Sequence, residues 1–174
     1  ITMILISVGV SIGSVGLPLL TENYVKGDLQ AAARLVQDSL TMLFLFLLPA
    51  TVGVVMVGEP LYTVFYGKPD SLAVGLFVFA VLQSTILGLY MVLSPMLQAM
   101  FQNRKAVLYF VYGSLAKIVL QLPTIAIFHS YGPLISTTIG LIIPNVLMYR
   151  DICQVTGARR KIILKLSLIH ISEP

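Results

Sequence analysis

Lys117 has the most chemistry to offer, because it lies within a long apolar run from Ala106 to Phe128. A cation at the centre of a spanning helix costs about 2.5–3.5 kcal/mol on insertion scales, so it calls for a polar cavity or a buried partner. Gln121 at i+4 and Ser114 at i−3 extend a polar stripe along the same helix face. Two roles are open. Lys117 can line an aqueous path and attract an anionic group, or it can snorkel and bond to neighbouring carbonyls to hold helices together. Asn145, in the next apolar run, completes a set of three substrate-cavity candidates with Lys117 and Gln121. Gln83, Ser84, Thr85, Ser136, Thr137 and Thr138 are weaker candidates, since Ser and Thr in such helices more often bond to their own backbone or join neighbours.

Catalysis finds no support in the residue spacing. The chain contains no HExxH, CxxC, GxSxG or phosphate-cradling glycine loop. Its acids Glu22, Asp28, Asp38, Glu59, Asp70 and Asp151 are scattered, and no close acidic pair is available for metal-dependent sugar or phosphoryl transfer. His129 stands alone in a short loop and reads as an interfacial residue. Cys153, the single cysteine, has no internal partner for a disulfide and reads as a bystander thiol. No catalytic residue, cofactor or metal is expected.

The elements that must position Lys117 are set by composition. Of 174 residues, 57% are hydrophobic and 10% charged, whereas soluble domains carry roughly 25% charged residues. Water cannot be the solvent for so much apolar surface. The expected fold is all-α, a polytopic transmembrane bundle of about five spans, each needing about 20 apolar residues. Those spans are about 1–20, 40–57, 72–97, 106–128 and 134–149. Gly9 and Gly13 in the first have GxxxG spacing, a packing signal. Pro49 predicts a kink in the second, and Ser94-Pro95 allows a break or tilt in the third.

Between the first two spans Asp28 is a natural N-cap. Leu29, Ala32, Ala33, Val36 and Leu40 recur at helical spacing after it. A short helix over 28–39 is predicted, lying in the membrane interface or solvated as a loop helix. Tyr62, Phe65 and Tyr66 follow the second span, and aromatics of this kind favour the headgroup level.

A net charge of +4 could suggest nucleic acid, but the cations form short clusters between apolar runs, with no basic stripe or interleaved aromatics. Alternating spans place Lys26, Arg34, Arg104, Lys105, Arg150, Arg159, Arg160, Lys161 and Lys165 on one side and only Lys68 on the other. The positive-inside rule makes the first side cytoplasmic. Arg34 can act there as an ordinary inward charge or hold a lipid phosphate. The chain opens inside an apolar run without Met or a basic leader, and its last residues, 166–174, read as a non-native tail from translated adapter sequence. A partial transporter lobe over 1–165, cut at both ends, is the expected domain.

Several strings then arrive in a telling order. Gly16-Leu17-Pro18-Leu19-Leu20 precedes Lys26-Gly27-Asp28, Leu48-Pro49-Ala50 with Gly53, and Glu59-Pro60 leading to Phe65-Tyr66-Gly67. Leu97-Gln98-Ala99, Lys117-Ile118-Val119-Leu120-Gln121 and Tyr131-Gly132 with Ser136-Thr137 follow. From about Ser7 to Lys165 this order resembles the MurJ-type flippases, in the polysaccharide-exporter branch of the MOP superfamily related to MATE exporters. The resemblance implies the family's eighth to twelfth helices, most of a C-terminal lobe. It also implies a bacterial cytoplasmic-membrane protein that exports an undecaprenyl-linked sugar precursor, lipid II above all. Two lobes would rock about a cationic cavity by alternating access.

Most cavity arginines of that family lie outside the matched stretch, so Lys117 alone is carried over as a cavity residue. Expected partners are the lipid-linked precursor and membrane lipids, with protein partners open. The alternatives are a MATE-like or O-antigen-type exporter with another cargo, a membrane-embedded glycosyltransferase, or a structural membrane scaffold.

Overall fold

The computed structural model describes residues 2–68 and 70–156; Pro69, the cations beyond residue 156 and the tail at 166–174 lie outside the described residues. The described residues form helices α1 (Thr2–Val25), α2 (Leu29–Met56), α3 (Gly58–Tyr66), α4 (Ser71–Ala99), α5 (Asn103–Phe128) and α6 (Gly132–Thr156). A 3-10 turn, His129–Tyr131, joins the last two. Four stretches are long and apolar enough to cross a membrane, Thr2–Val25, Leu29–Met56, Ser71–Ala99 and Asn103–Thr156. The fourth would be about 80 Å long as one helix, far beyond a bilayer core of about 30 Å. It folds back at His129 as the α5–α6 hairpin, giving five crossings.

One boundary differs from the sequence reading. The helix predicted over 28–39 and the span over 40–57 are a single helix, α2. No Gly or Pro interrupts Leu29 to Leu48, and one buried stripe, Ala32, Val36, Ser39, Leu43, Leu47 and Thr51, runs through the junction. A stripe that never rotates off the bundle leaves no reason for a turn. Asp28 does cap α2, its carboxylate accepting the Ala31 N–H at 2.9 Å. Replacing Asp28 with Ala should therefore lower stability by about 1 kcal/mol, read as a lower midpoint in thermal unfolding of detergent-solubilised protein. An unchanged midpoint would mean that lipid-facing packing alone holds the α2 start.

Other boundaries moved for equally physical reasons. The aromatic segment after α2 is helical, as α3, and Gly67 ends it with φ +88°. Tyr62 stacks on Tyr66 and meets Phe77 of α4 edge-on. α4 passes Pro95 without breaking, and α6 continues past Tyr149 to Thr156.

α4 is the axis of the bundle, with α1, α2 and α6 packed around it. α1 and α4 run parallel, since Gly9 meets Gly88 and Gly13 meets Met91 and Pro95. α5 and α6 are antiparallel, as Asp151 meets Lys105, Gly140 meets Gly113, and Gly132 meets Ile125. The ring contact Tyr24–Phe101 sets the α1–α2 turn beside the α4–α5 turn. Lys26, Arg34, Arg104, Lys105 and Arg150 thus gather at one end, and α3, Lys68 and the hairpin tip lie at the other. The largest buried side chains, including Leu20, Leu93, Met96, Leu97, Met100, Met148 and Ile152, concentrate towards the basic end. Outward faces carry Leu115, Ile118, Val119 and Leu122. Lipid is the solvent that tolerates such a surface. The protein is a multi-pass membrane protein.

Candidate functional site

Lys117 sits midway along α5 and is half-buried. Gly113, Lys117, Gln121 and Thr124 follow one another at steps of four, four and three residues, so they share the face turned to α6. A Cβ added to Gly140 would lie 2.9 Å from Cβ of Lys117, which places the root of the lysine directly against the α6 backbone. Among the described residues Lys117 has no ion pair and no side-chain hydrogen bond. Gln121 is half-buried one turn further along the same face.

Asn145 occupies a different seam. It lies five residues beyond Gly140, about 140° around α6, and points to α4, where its Nδ2 donates to the Ile86 carbonyl at 2.9 Å. Its side chain is buried, and Oδ1 has no partner among the described residues. The structure therefore brings Lys117 and Gln121 together on α5 and sets Asn145 across the thickness of α6. The smaller hydroxyls mostly bond locally: Ser84 to Val81, Ser136 and Thr137 to Pro133, and Thr138 to Leu134. Thr85 pairs with Thr51 of α2 at 2.9 Å and ties two helices together.

A polar cluster at the basic end escaped the sequence reading. Asp151 Oδ2 accepts from the Tyr109 hydroxyl at 2.8 Å and lies 2.8 Å from Lys105 Nζ. These residues are 42 and 46 positions apart, and only the hairpin register unites them. Asp151 follows Arg150 in the last two turns of α6, at the end of the bundle where the cations gather. Burial raises its carboxyl pKa, but the Lys105 and Tyr109 hydrogen bonds and the charges of Lys105 and Arg150 outweigh that and hold it below its ordinary value.

A carboxylate with a lowered folded-state pKa stabilises above its unfolded pKa of about 3.9, and that stability is lost as pH falls through the lowered value. The cluster's contribution should be level from pH 8 to about 5 and vanish in stronger acid. Replacing Asp151 with Asn should cost about 1 kcal/mol at neutral pH and flatten the acid limb of a stability profile. A variant with the wild-type profile would remove Asp151 as the cause. Close by, a cleft of about 200 Å³ between α4 and α5 is lined by Tyr90, Ser94, Gln98, Asn103, Val107 and Phe110.

Among the described residues no group of three His, Cys, Asp or Glu side chains could hold a metal ion. No family model matches the chain, and no solved structure matches it. Over 174 residues, 98% of the chain, it is 24% identical to the lipid II flippase MurJ of Bacillus subtilis (strain 168). The chain resembles a MurJ-type segment throughout. It spans about a third of the length of that curated relative, 32% of it. The MurJ-like stretch therefore takes in all five crossings, the α3 helix and the Lys117 seam.

Proposed function

We propose that this chain is part of a flippase that carries an anionic, lipid-linked cell-wall sugar precursor, lipid II, across the bacterial cytoplasmic membrane by alternating access. The observation that carries the reading is a lysine midway along an apolar helix with no carboxylate partner among the described residues, in a chain similar over 98% of its length to part of a protein named as a lipid II flippase. An unpaired ammonium inside an apolar helix is a standing cost, and a pyrophosphate-bearing headgroup is a counterion that would offset it transiently. Neutralisation by the cargo favours loading, and release restores the unpaired state.

Lys117 is the proposed contact to the anionic group, with Gln121 beside it as a hydrogen-bonding neighbour. Asn145 lies across α6 from that contact, bonded to Ile86 of α4, and is not assigned to it. The lipid tail would remain in the bilayer while the headgroup passes. Chemistry on the cargo has no role here, since movement requires binding and release only.

The test is complementation. The intact protein, expressed in bacteria depleted of their lipid II flippase, should restore growth. A well-expressed, correctly inserted protein that fails to do so would shift the reading to an exporter of another polysaccharide or drug.

A further inference from the structure

The aromatic helix α3 has no part in the Lys117 seam, yet its placement is specific. Gly58 abuts α4, since a Cβ added there would lie 2.8 Å from a Val78 methyl. Four residues later the Tyr62 ring meets Phe77 at 6.1 Å. Those four residues advance about 6 Å along α3, while the contact on α4 moves by one residue, about 1.5 Å. α3 therefore lies across α4 rather than alongside it, roughly in the plane of the membrane.

Its depth follows from α4. From Phe77 to Ala99, at the basic end, the helix measures about 33 Å, against a bilayer core of about 30 Å. The tip of the α5–α6 hairpin reaches the same level, where the Tyr131 hydroxyl rests on Gly75 and its ring meets Phe79 at 6.4 Å. α3 thus sits at the outer boundary of the hydrocarbon, level with the other outward turn of the bundle.

Steps of about 100° per residue divide α3 into flanks. Gly58 and Tyr62 face α4. Glu59 and Thr63 lie to one side and are exposed, the Thr63 hydroxyl donating to the Glu59 carbonyl at 2.8 Å. Leu61 and Phe65 lie on the opposite side, and Pro60 and Val64 point away from α4. Val64 is 80% exposed and Phe65 63%. Tyr66 stacks on Tyr62 at 4.9 Å, as aromatics at headgroup level do with one apolar face covered. A helix in the membrane plane with a charged flank opposite an apolar one suits a single boundary, water on one side and acyl chains on the other.

We propose that α3 is an interfacial anchor, with Leu61, Val64 and Phe65 set among the acyl chains of outer-leaflet phospholipids and Glu59 and Thr63 in water. Apolar area rather than charge recognises the lipid: Lys68 is the only Lys or Arg among the described residues at that end, and the acids Glu59 and Asp70 flank the same segment. Gly58 and Tyr62 fasten the anchor to the axial helix, so the lipid boundary sets the depth of α4. The anchor needs no cargo and stands apart from the transport reading.

Fluorescence quenching on the intact protein in lipid nanodiscs tests this. In a cysteine-free background that includes Cys153→Ser, a bimane label is attached through Phe65→Cys or through Thr63→Cys, on opposite flanks. Brominated acyl chains should quench the label at position 65 severalfold more than the label at position 63, and aqueous iodide should give the reverse order. Val64→Cys supplies a second apolar site should the Phe65 variant misfold. The pattern should be the same in discs of phosphatidylcholine alone and in discs mixed equally with phosphatidylglycerol. Equal quenching on the two flanks would overturn the proposal. A label on the apolar flank that neither quencher reaches would also overturn it, as the sign that another segment or a second copy covers that flank. Lipid quenching that appears only with phosphatidylglycerol would do the same, since charge would then hold the helix.

Discussion

On the proposed flippase reading, replacing Lys117 with Ala in the intact protein should reduce transport of the lipid-linked precursor by roughly tenfold to a hundredfold while leaving the folded protein at least as stable. The transport figure follows from losing one charge-assisted contact to an anionic headgroup, worth about 1.5–3 kcal/mol. The stability sign follows from the opposite side. Lys117 has no ion pair among the described residues, so its removal relieves an insertion cost of about 2.5–3.5 kcal/mol. A lysine that only tied helices together would give the reverse pattern, with stability falling and transport following protein level. The two readings separate in one experiment: flipping into the outer leaflet of vesicles, set beside thermal unfolding of the same preparation. Near-normal flipping at equal protein level would remove Lys117 from the site. Lys117→Arg keeps the charge and should retain more transport than Ala.

The second large effect is steric. Gly113→Ala should destabilise the α5–α6 hairpin by about 3 kcal/mol, the upper end of overpacking costs. The added methyl would meet the Gly140 carbonyl and the Pro144 ring. Neither can turn aside as a flexible side chain would, so the helices must separate. Gly53→Ala is the matched control, because nothing lies within 4 Å of its Cβ position. It should be neutral or stabilise by up to about 1 kcal/mol, since Ala is the better helix former. Unfolding in detergent should show the two substitutions moving apart. Equal shifts would mean that the hairpin seam is looser than its geometry shows.

Much of the bundle was legible because apolar length is a one-dimensional property. Runs of about twenty apolar residues, the alternation of cation clusters and the Asp28 cap each depend on neighbours within one or two turns. The continuity of α2 was hidden because Gln37 and Asp38 look like a boundary in hydropathy, while the stripe Ala32 to Thr51 ignores them. α3 was hidden because nine residues of aromatic character fit a headgroup loop as well as a helix. Gly9 and Gly13 could be read as packing residues from spacing, but their partners on α4 could not.

The candidate site shows the same division. Lys117 with Gln121 is a local pattern on one helix, readable from i and i+4 spacing alone. Asn145 looked equivalent by residue type and depth, yet its position 140° from Gly140 sends it to Ile86 of α4. The Lys105–Tyr109–Asp151 cluster had no local sign at all.

By itself the sequence determined that the protein lies in a membrane, that its cations cluster between apolar runs, and that one lysine stands inside an apolar helix. Each follows from transfer energies of side chains, which add along the chain without regard to what lies beside it. Only the tertiary structure decided that α4 is the axis, that Lys117 leans on Gly140, and that Gly13 and Gly113 each meet a carbonyl of the neighbouring helix. Those facts depend on helix rotation and register, and a shift of one residue turns a helix by about 100°.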